Sequence, residues 1–369
     1  MTADHNGGDN MTDFNLGDTV REKYAEAIKS RGIVNILIAG RTGVGKSTLI
    51  NAVFQGNLAE TGQGRPVTKN VREYTKDGLP LRIIDTRGLE MADFDATLEA
   101  LEEEVKKRRS ETDASKHIHV GWICVSEDSR RVEDAEIKLA KHLAQYFPLL
   151  GVITKARSDN GFRQEVQNLL PDTRNVVRVR ALKETFDEGQ ILNPMGLKEL
   201  IDVTNEVIPE GQRKALAAAQ KVNMSIKKKQ AHAVVAAAAV AAAGEGAIPI
   251  PFSDAVLLVP TQIGMLAGIT AVFGLDFDTG FLTTLVTTAA GCTAATFGGR
   301  TLVSNLLKLF PGVGSVAGGA IAAATASALT TALGEAYIGT LSYLFEQNNG
   351  EQPKQEEIIN LFKDKLTLS

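Results

Sequence analysis

Gly40-Arg41-Thr42-Gly43-Val44-Gly45-Lys46-Ser47 has the spacing G-x-x-x-x-G-K-[ST], and Thr48 continues it. Its three glycines allow a tight turn, so that successive N–H groups and the positive end of a following helix face a polyphosphate. Lys46 adds a charge for the outer phosphates, and Ser47 offers a hydroxyl to magnesium. A second cluster, Asp85-Thr86-Arg87-Gly88, closes an apolar run further on. A carboxylate there can hold a magnesium-bound water, and the Gly88 N–H can reach a γ-phosphate. Between the two lies a polar stretch rich in Gly and Thr, residues 56–70, containing Gly64-Arg65-Pro66-Val67-Thr68. A mobile loop in that position is where nucleotide switches keep a threonine that closes over the metal, and Thr68 is the candidate. Together these residues imply a bound nucleoside triphosphate with Mg2+.

The elements that must position them follow from hydrophobic patterning. Residues 33–38 read as a buried strand entering the glycine turn, with a helix opening at Lys46. A polar lead over 1–16 and an amphipathic helix over 18–30 precede that strand. Beyond the loop, strands are expected over 71–76 and 79–84, joined by the turn Asp77-Gly78. Helices over 95–109, 131–146, 160–170 and 195–207 then alternate with strands over 119–126, 149–154 and 175–181. That alternation implies an α/β domain with a mostly parallel sheet, helices on both faces, and ligands at the carboxyl ends of its strands.

The 369 residues carry a net charge of −4, which gives no electrostatic footprint for nucleic acid. Cys124 and Cys292 are the only cysteines, each in apolar surroundings, so no disulfide framework is expected. The polar, acidic first nineteen residues lack the layout of a secretory signal. No metal-ligand spacing surrounds the five histidines, and Trp122 reads as a core residue.

Composition shifts sharply near residue 230. From 231 to 345 only Glu245, Asp254, Asp276, Asp278, Arg300, Lys308 and Glu335 are charged, against 23% charged residues in the whole chain. The expected organisation is a lead and helix over 1–30, a nucleotide-binding domain over 31–209, and a charged linker helix over 210–230 ending in Lys227-Lys228-Lys229. A hydrophobic Ala/Gly-rich all-α domain over 231–345 and a charged tail over 346–369, read as a short exposed helix, complete it. Residues 256–275 are twenty uncharged residues including Pro260, Gly264 and Gly268. Such a run can cross a hydrocarbon layer of roughly 30 Å, and its apolar residues favour insertion by about 3–6 kcal/mol. Residues 279–299 and 309–334 are poorer in large apolar side chains. Two readings stand: helices in or on a bilayer, with membrane lipid as partner and Lys227 to Lys229 at an anionic surface, or a tight soluble bundle of small residues. The first places the chain at the cytoplasmic face of the inner membrane, the second in the cytoplasm.

Over about residues 33–209, the phosphate loop, Gly64-Arg65-Pro66-Val67-Thr68 and Asp85-Thr86-Arg87-Gly88 resemble the G domain of the translation-factor-related class. The resemblance is to Era and TrmE-like bacterial GTPases and, more distantly, to the immunity-related GTPases of animals. It implies GTP and GDP as ligands, Mg2+ as cofactor, GTP hydrolysis, and a possible homodimer or oligomer through either half. In that family Asn/Thr-Lys-x-Asp reads guanine; here Thr154-Lys155-Ala156-Arg157 stands instead, with Asp159 two residues on. Arg180-Ala181-Leu182 matches the family's second base contact. Leu89 follows the Asp-Thr-Arg-Gly motif and cannot orient a water, so intrinsic hydrolysis is expected to be slow. Arg65 is a candidate arginine finger, alongside its reading as a solvated arginine. A nonselective NTPase or ATPase, and a nucleotide-binding membrane or pore-forming protein with negligible turnover, are the alternatives. The hydrophobic half resembles a poorly characterised domain found behind Era-like G domains in bacteria, around Pro249 to Ala255 and Gly264 to Gly268.

Overall fold

A computed structural model of the chain describes residues 15–56, 58, 63–68, 71–86, 94–187, 189–246, 254–275, 278–289 and 319–368. Its sheet holds β1 (Val34–Ala39), β2 (Gln63–Thr68), β3 (Val71–Thr75), β4 (Leu81–Thr86), β5 (Val120–Ser126), β6 (Leu149–Thr154) and β7 (Thr173–Arg178). The spatial order is β2-β3-β4-β1-β5-β6-β7. β4, β1, β5, β6 and β7 are parallel, while β2 and β3 form an antiparallel edge. The fold is the expected one, a mostly parallel sheet with helices on both faces followed by an all-α region.

Strand residues alternate between two cores, because successive side chains point to opposite faces. Leu37, Ala39, Ile84, Ile123, Val125 and Ile153 face one core. It is covered by α3 (Phe94–Ser110), α4 (Asp134–Leu143) and α5 (Phe162–Leu169) through Leu101, Leu139 and Phe162. Ile36, Ile38, Ile83, Trp122 and Val152 face the other core. There α2 (Lys46–Val53), α6 (Leu197–Val207) and α7 (Arg213–Ala219) cover them. The Trp122 ring stacks on Phe54 at 5.8 Å and its indole N–H donates to Thr204 at 3.2 Å. Trp122 is structural, as its apolar sequence context implied.

This second core runs without a break into the Ala-rich half. That half consists of α8 (Met224–Gly246), α9 (Asp254–Phe273), α10 (Thr279–Ala289), α11 (Gly319–Gln347) and α12 (Gln355–Leu368), and α1 (Leu16–Arg31) packs onto α9 and α10. Small residues set the helix spacing: a Cβ on Gly268 would lie 2.8 Å from Val234, and one on Gly334 would lie 2.5 Å from Val235. A buried hydrogen bond of 2.9 Å between Thr270 and Tyr337 ties α9 to α11.

Several expectations are corrected here. Among the described residues, no helix is long and apolar enough to cross a membrane. The candidate span over 256–275 instead spends its side chains inside the protein: Val259, Ile263, Leu266, Ile269, Val272, Phe273 and Leu275 are all buried. The linker over 210–230 is not one helix; α7 ends at Ala219 and α8 starts at Met224, running unbroken through the composition change at 230. Lys227 is buried rather than surface-facing, and Lys228 pairs with Glu346 at 3.3 Å. The tail helix α12 is amphipathic, burying Ile358 and Phe362, the latter 5.2 Å from the Tyr337 ring. Finally, the stretch expected as a loop holds strand β2; Pro66 and Gly64 disguise it, and proline is tolerated there because the strand is an edge.

Candidate functional site

The phosphate loop leaves β1 at its carboxyl end and enters α2 at Lys46. Gly45 is the N-cap of α2 in the left-handed region, at φ 100°, and Gly43 is at φ 80°. Gly40 is required by space as well: a Cβ there would lie 2.4 Å from the Cys124 carbonyl oxygen on β5. Burial pushes the Cys124 thiol up to about 12, so this residue is a packing element. Lys46 folds back over the loop, its ammonium donating to the Gly40 and Arg41 carbonyls at 2.6 and 3.1 Å. Arg41 pairs at 3.0 Å with Glu133, the N-cap of α4. Thr42, Gly43, Ser47 and Thr48 are exposed, whereas Val44 is buried and pins the loop to the core.

Asp85 is the penultimate residue of β4, one strand away, in register with Ile38 of β1 and Arg72 of β3. It is 6% exposed, and Thr86 beside it is fully buried. The carboxyl ends of β1 and β4 therefore bring the loop and Asp85 to one rim of the sheet. Ser47 and Asp85 offer hard oxygen ligands, the chemistry that suits Mg2+. Thr68 and Arg65 lie on β2, opposite Val71 and Glu73 of β3. Arg87, Gly88 and Leu89 lie outside the described residues.

The stretch expected to contact the base sits at the carboxyl ends of β6 and β7. The Thr154 hydroxyl reaches the carbonyls of both Val44 and Val125, linking the phosphate loop to β6 and β5. Lys155 turns outward at φ 53°, with its ammonium 3.6 Å from Asp128. Arg157, which occupies the aspartate slot of the resemblance, is clamped by Asp128 at 3.0 Å and Glu184 at 2.7 Å, and lies over the Phe186 ring. Asp159 is turned elsewhere: its carboxylate caps the Arg163 N–H at 2.9 Å and sits 3.5 Å from Arg178. Arg180 is buried, donating to the Ala156 carbonyl at 2.8 Å and to the Asn193 carbonyl, so it braces the loop. Ala181 is half-buried, and Leu182 stands 60% exposed beside the hairpin of β8 (Glu184–Thr185) and β9 (Ile191–Leu192).

Sequence reasoning missed the residue that organises this corner, Glu127. It follows β5, is 5% exposed, and accepts the N–H groups of Arg157 and Ser158 together with the Arg178 guanidinium at 2.6 Å. Burial alone would raise its pKa, but those N–H donors and the Arg178 charge outweigh it and hold the carboxyl below its ordinary range. The available signal was positional, since Glu127-Asp128 directly follows an apolar strand.

Residues 35–155 match the family described as 50S ribosome-binding GTPase. Translocase of chloroplast 101 of Physcomitrium patens is 30% identical over 177 residues, 44% of this chain and 19% of that protein. Ribosome biogenesis GTPase A of Bacillus licheniformis is 34% identical over 88 residues, 23% of this chain and 30% of that protein. The tRNA modification GTPase MnmE of Chromohalobacter salexigens is 41% identical over 76 residues, 20% and 16% of the two chains. The chain thus spans less than a third of the length of each of these three relatives. The crystal structure of the G domain of the T. maritima FeoB iron transporter aligns over 47% of this chain and 98% of its own, at 19% identity and a TM-score of 0.31. The matched stretch runs from β1 through the phosphate loop and Asp85 to Lys155, and with it this chain carries the G domain of a P-loop GTPase.

Proposed function

We propose that the chain binds GTP and GDP with Mg2+, hydrolyses GTP slowly, and uses the nucleotide state as a switch acting on its helical half. The observation that carries this reading is the left-handed glycine loop at the mouth of β1, with Lys46 folded over it and Asp85 penultimate in the adjacent strand. Lys46 would hold the β- and γ-phosphates, Ser47 and Asp85 would hold Mg2+ directly or through water, and Thr68 would close over the metal. Bound Mg2+ supplies neutralisation of the developing phosphate charge. Guanine preference rests on the family match and on Lys155 and Ala181. Arg157, gripped by two carboxylates, leaves discrimination weaker than an aspartate in that slot would give.

The output is the helical half, acting at a membrane surface or in an assembly of copies. The small-residue packing of α8, α9 and α11 supports a half that can repack, while the burial of α9 argues for surface attachment over insertion. Isothermal titration of GTP, GDP and ATP with and without magnesium tests the first part; equal heats for GTP and ATP would replace the GTPase by a nonselective NTPase. Phosphate release with and without liposomes, and flotation of the nucleotide-loaded chain, test the second. Absence from the lipid fraction in every nucleotide state would remove the membrane role.

A further inference from the structure

The helix that starts at the phosphate loop does not end freely. α2 is eight residues long, about 12 Å at the usual rise, so Lys46 and Val53 are two turns apart on one rigid segment. Its far end is fastened to the connection between α7 and α8. The Gln55 N–H donates to the Ala219 carbonyl at 3.1 Å, the Lys221 N–H donates to the Val53 carbonyl at 2.9 Å, and Phe54 bridges to Gln220. The Gln55 side chain donates to the Ala218 carbonyl at 2.9 Å.

That carbonyl has a second donor. Lys227 of α8, fully buried, reaches the Ala218 oxygen at 3.1 Å, the Ala217 oxygen at 2.7 Å and the Phe273 oxygen at the end of α9 at 3.0 Å. Its amine nitrogen also lies 5.4 Å from the Phe345 ring of α11. Gly274, at φ 78°, is pressed onto the same peptide, where an added Cβ would come within 2.2 Å of the Ala218 oxygen. One peptide oxygen is thus held both by the end of the phosphate-loop helix and by a lysine that gathers α7, α9 and α11. Hydrophobic packing alone would join the two halves with an apolar side chain at this point. Burial pushes the Lys227 amine well below its ordinary pKa, and a buried amine set among three carbonyls is costly unless its hydrogen bonds are made, so the arrangement tolerates little slack.

We propose that Gln55 and Lys227, meeting at the Ala218 carbonyl, are the joint through which occupancy of the phosphate loop is transmitted to the helical half. The proposal rests on the nucleotide-binding reading above. Ordering of α2 by bound phosphates firms its far end, and the joint passes that ordering to α9 and α11. By linkage, loosening the joint weakens nucleotide binding by the same factor that nucleotide tightens the helices.

The test is amide hydrogen exchange of the full chain, empty and with magnesium plus a nonhydrolysable GTP analogue, with analogue affinity measured separately by titration. In the wild type, exchange over residues 259–275 slows by about fivefold or more, the low end for coupled sites. Gln55→Leu and Lys227→Met each remove most of that slowing, while residues 40–54 keep their own protection. Gln55→Leu leaves the lysine and its three carbonyls in place, so it decides the matter if Lys227→Met does not fold. Tight analogue binding with unchanged exchange over 259–275, or full slowing retained in Gln55→Leu, would overturn the joint. Absence of analogue binding in the wild type is seen in the titration and would overturn the functional reading itself.

Discussion

Removing one hydroxyl at residue 154 tests whether the phosphate loop is preorganised from the base side. Thr154 is 3% exposed, and its Oγ1 meets the Val44 carbonyl inside the phosphate loop and the Val125 carbonyl at 3.1 Å. Thr154→Val is nearly isosteric, so packing against Gly45, whose added Cβ would lie 3.9 Å from Thr154 Cβ, is retained. What changes is that the Val44 carbonyl loses this donor in a buried setting, a loss of about 1–3 kcal/mol. If the loop loosens to recover that energy, the nucleotide must restore it on binding. Affinity for GTP then falls by about 5–150-fold, at 1.4 kcal/mol per factor of ten. Titration calorimetry measures the affinity, and urea unfolding of the empty protein measures how much of the loss appears as stability. Thr154→Ser keeps the hydroxyl and should stay within threefold of wild type. A valine variant with unchanged affinity and unchanged unfolding midpoint would show that the hydroxyl does not hold the loop.

Lys46→Ala removes the charge folded onto the Gly40 and Arg41 carbonyls, and should cost about 1.5–3 kcal/mol of triphosphate affinity, read by competition titration, with the fold kept by circular dichroism. Arg65→Ala should slow phosphate release by about 10³-fold or more if the arginine stabilises transition-state charge, and an unchanged rate would mark it as a solvated strand residue. His119 gives an acid limb to stability. It is 4% exposed, its Nδ1 accepts the Asn35 N–H at 2.9 Å and its Nε2 donates to the Ala114 carbonyl at 3.0 Å. Burial lowers its pKa from the ordinary 6.5 to about 4, so between those values the unfolded chain holds the proton and the folded one does not. Stability is complete above about pH 6.5 and falls by about 3 kcal/mol as pH drops through the interval to about 4. Denaturant unfolding at pH 7 and pH 4.5 should show this fall, and His119→Asn should flatten it.

How much of this was legible in the sequence depended on whether the signal was local. The phosphate loop and Asp85 could be read because glycine conformation, a strand end and a helix start sit within a few residues of the chemistry. The sheet followed from alternation of apolar strands with helices. β2 was lost because Gly64 and Pro66 weaken any strand signal, and only its pairing to β3 makes it a strand. The run over 256–275 looked like a membrane span because an unbroken apolar sequence reads the same whether lipid or other helices surround it. Its burial against α1, α8 and α11 is a tertiary fact. Lys227 misled for a related reason: three lysines in a row suggest a wet face, yet helical rotation turns the first inward, half-buries the second and leaves the third exposed. Glu127 was missed because its partners are distant in sequence: Arg157 and Ser158 come from the loop after β6, and Arg178 from the end of β7.

The first helix has a further consequence, for synthesis. α1 is made well before its partners: its apolar side rests on α9 and α10, which begin at Asp254 and Thr279. At about 5–20 residues per second, the ribosome needs roughly 10–45 s to move from the end of one to the start of the other. Throughout that delay Val20, Tyr24 and their neighbours have no resting place while the sheet assembles beside them. A growing chain that folds from the front must therefore carry the uncovered apolar stripe of an otherwise polar helix until α9 and α10 have been made.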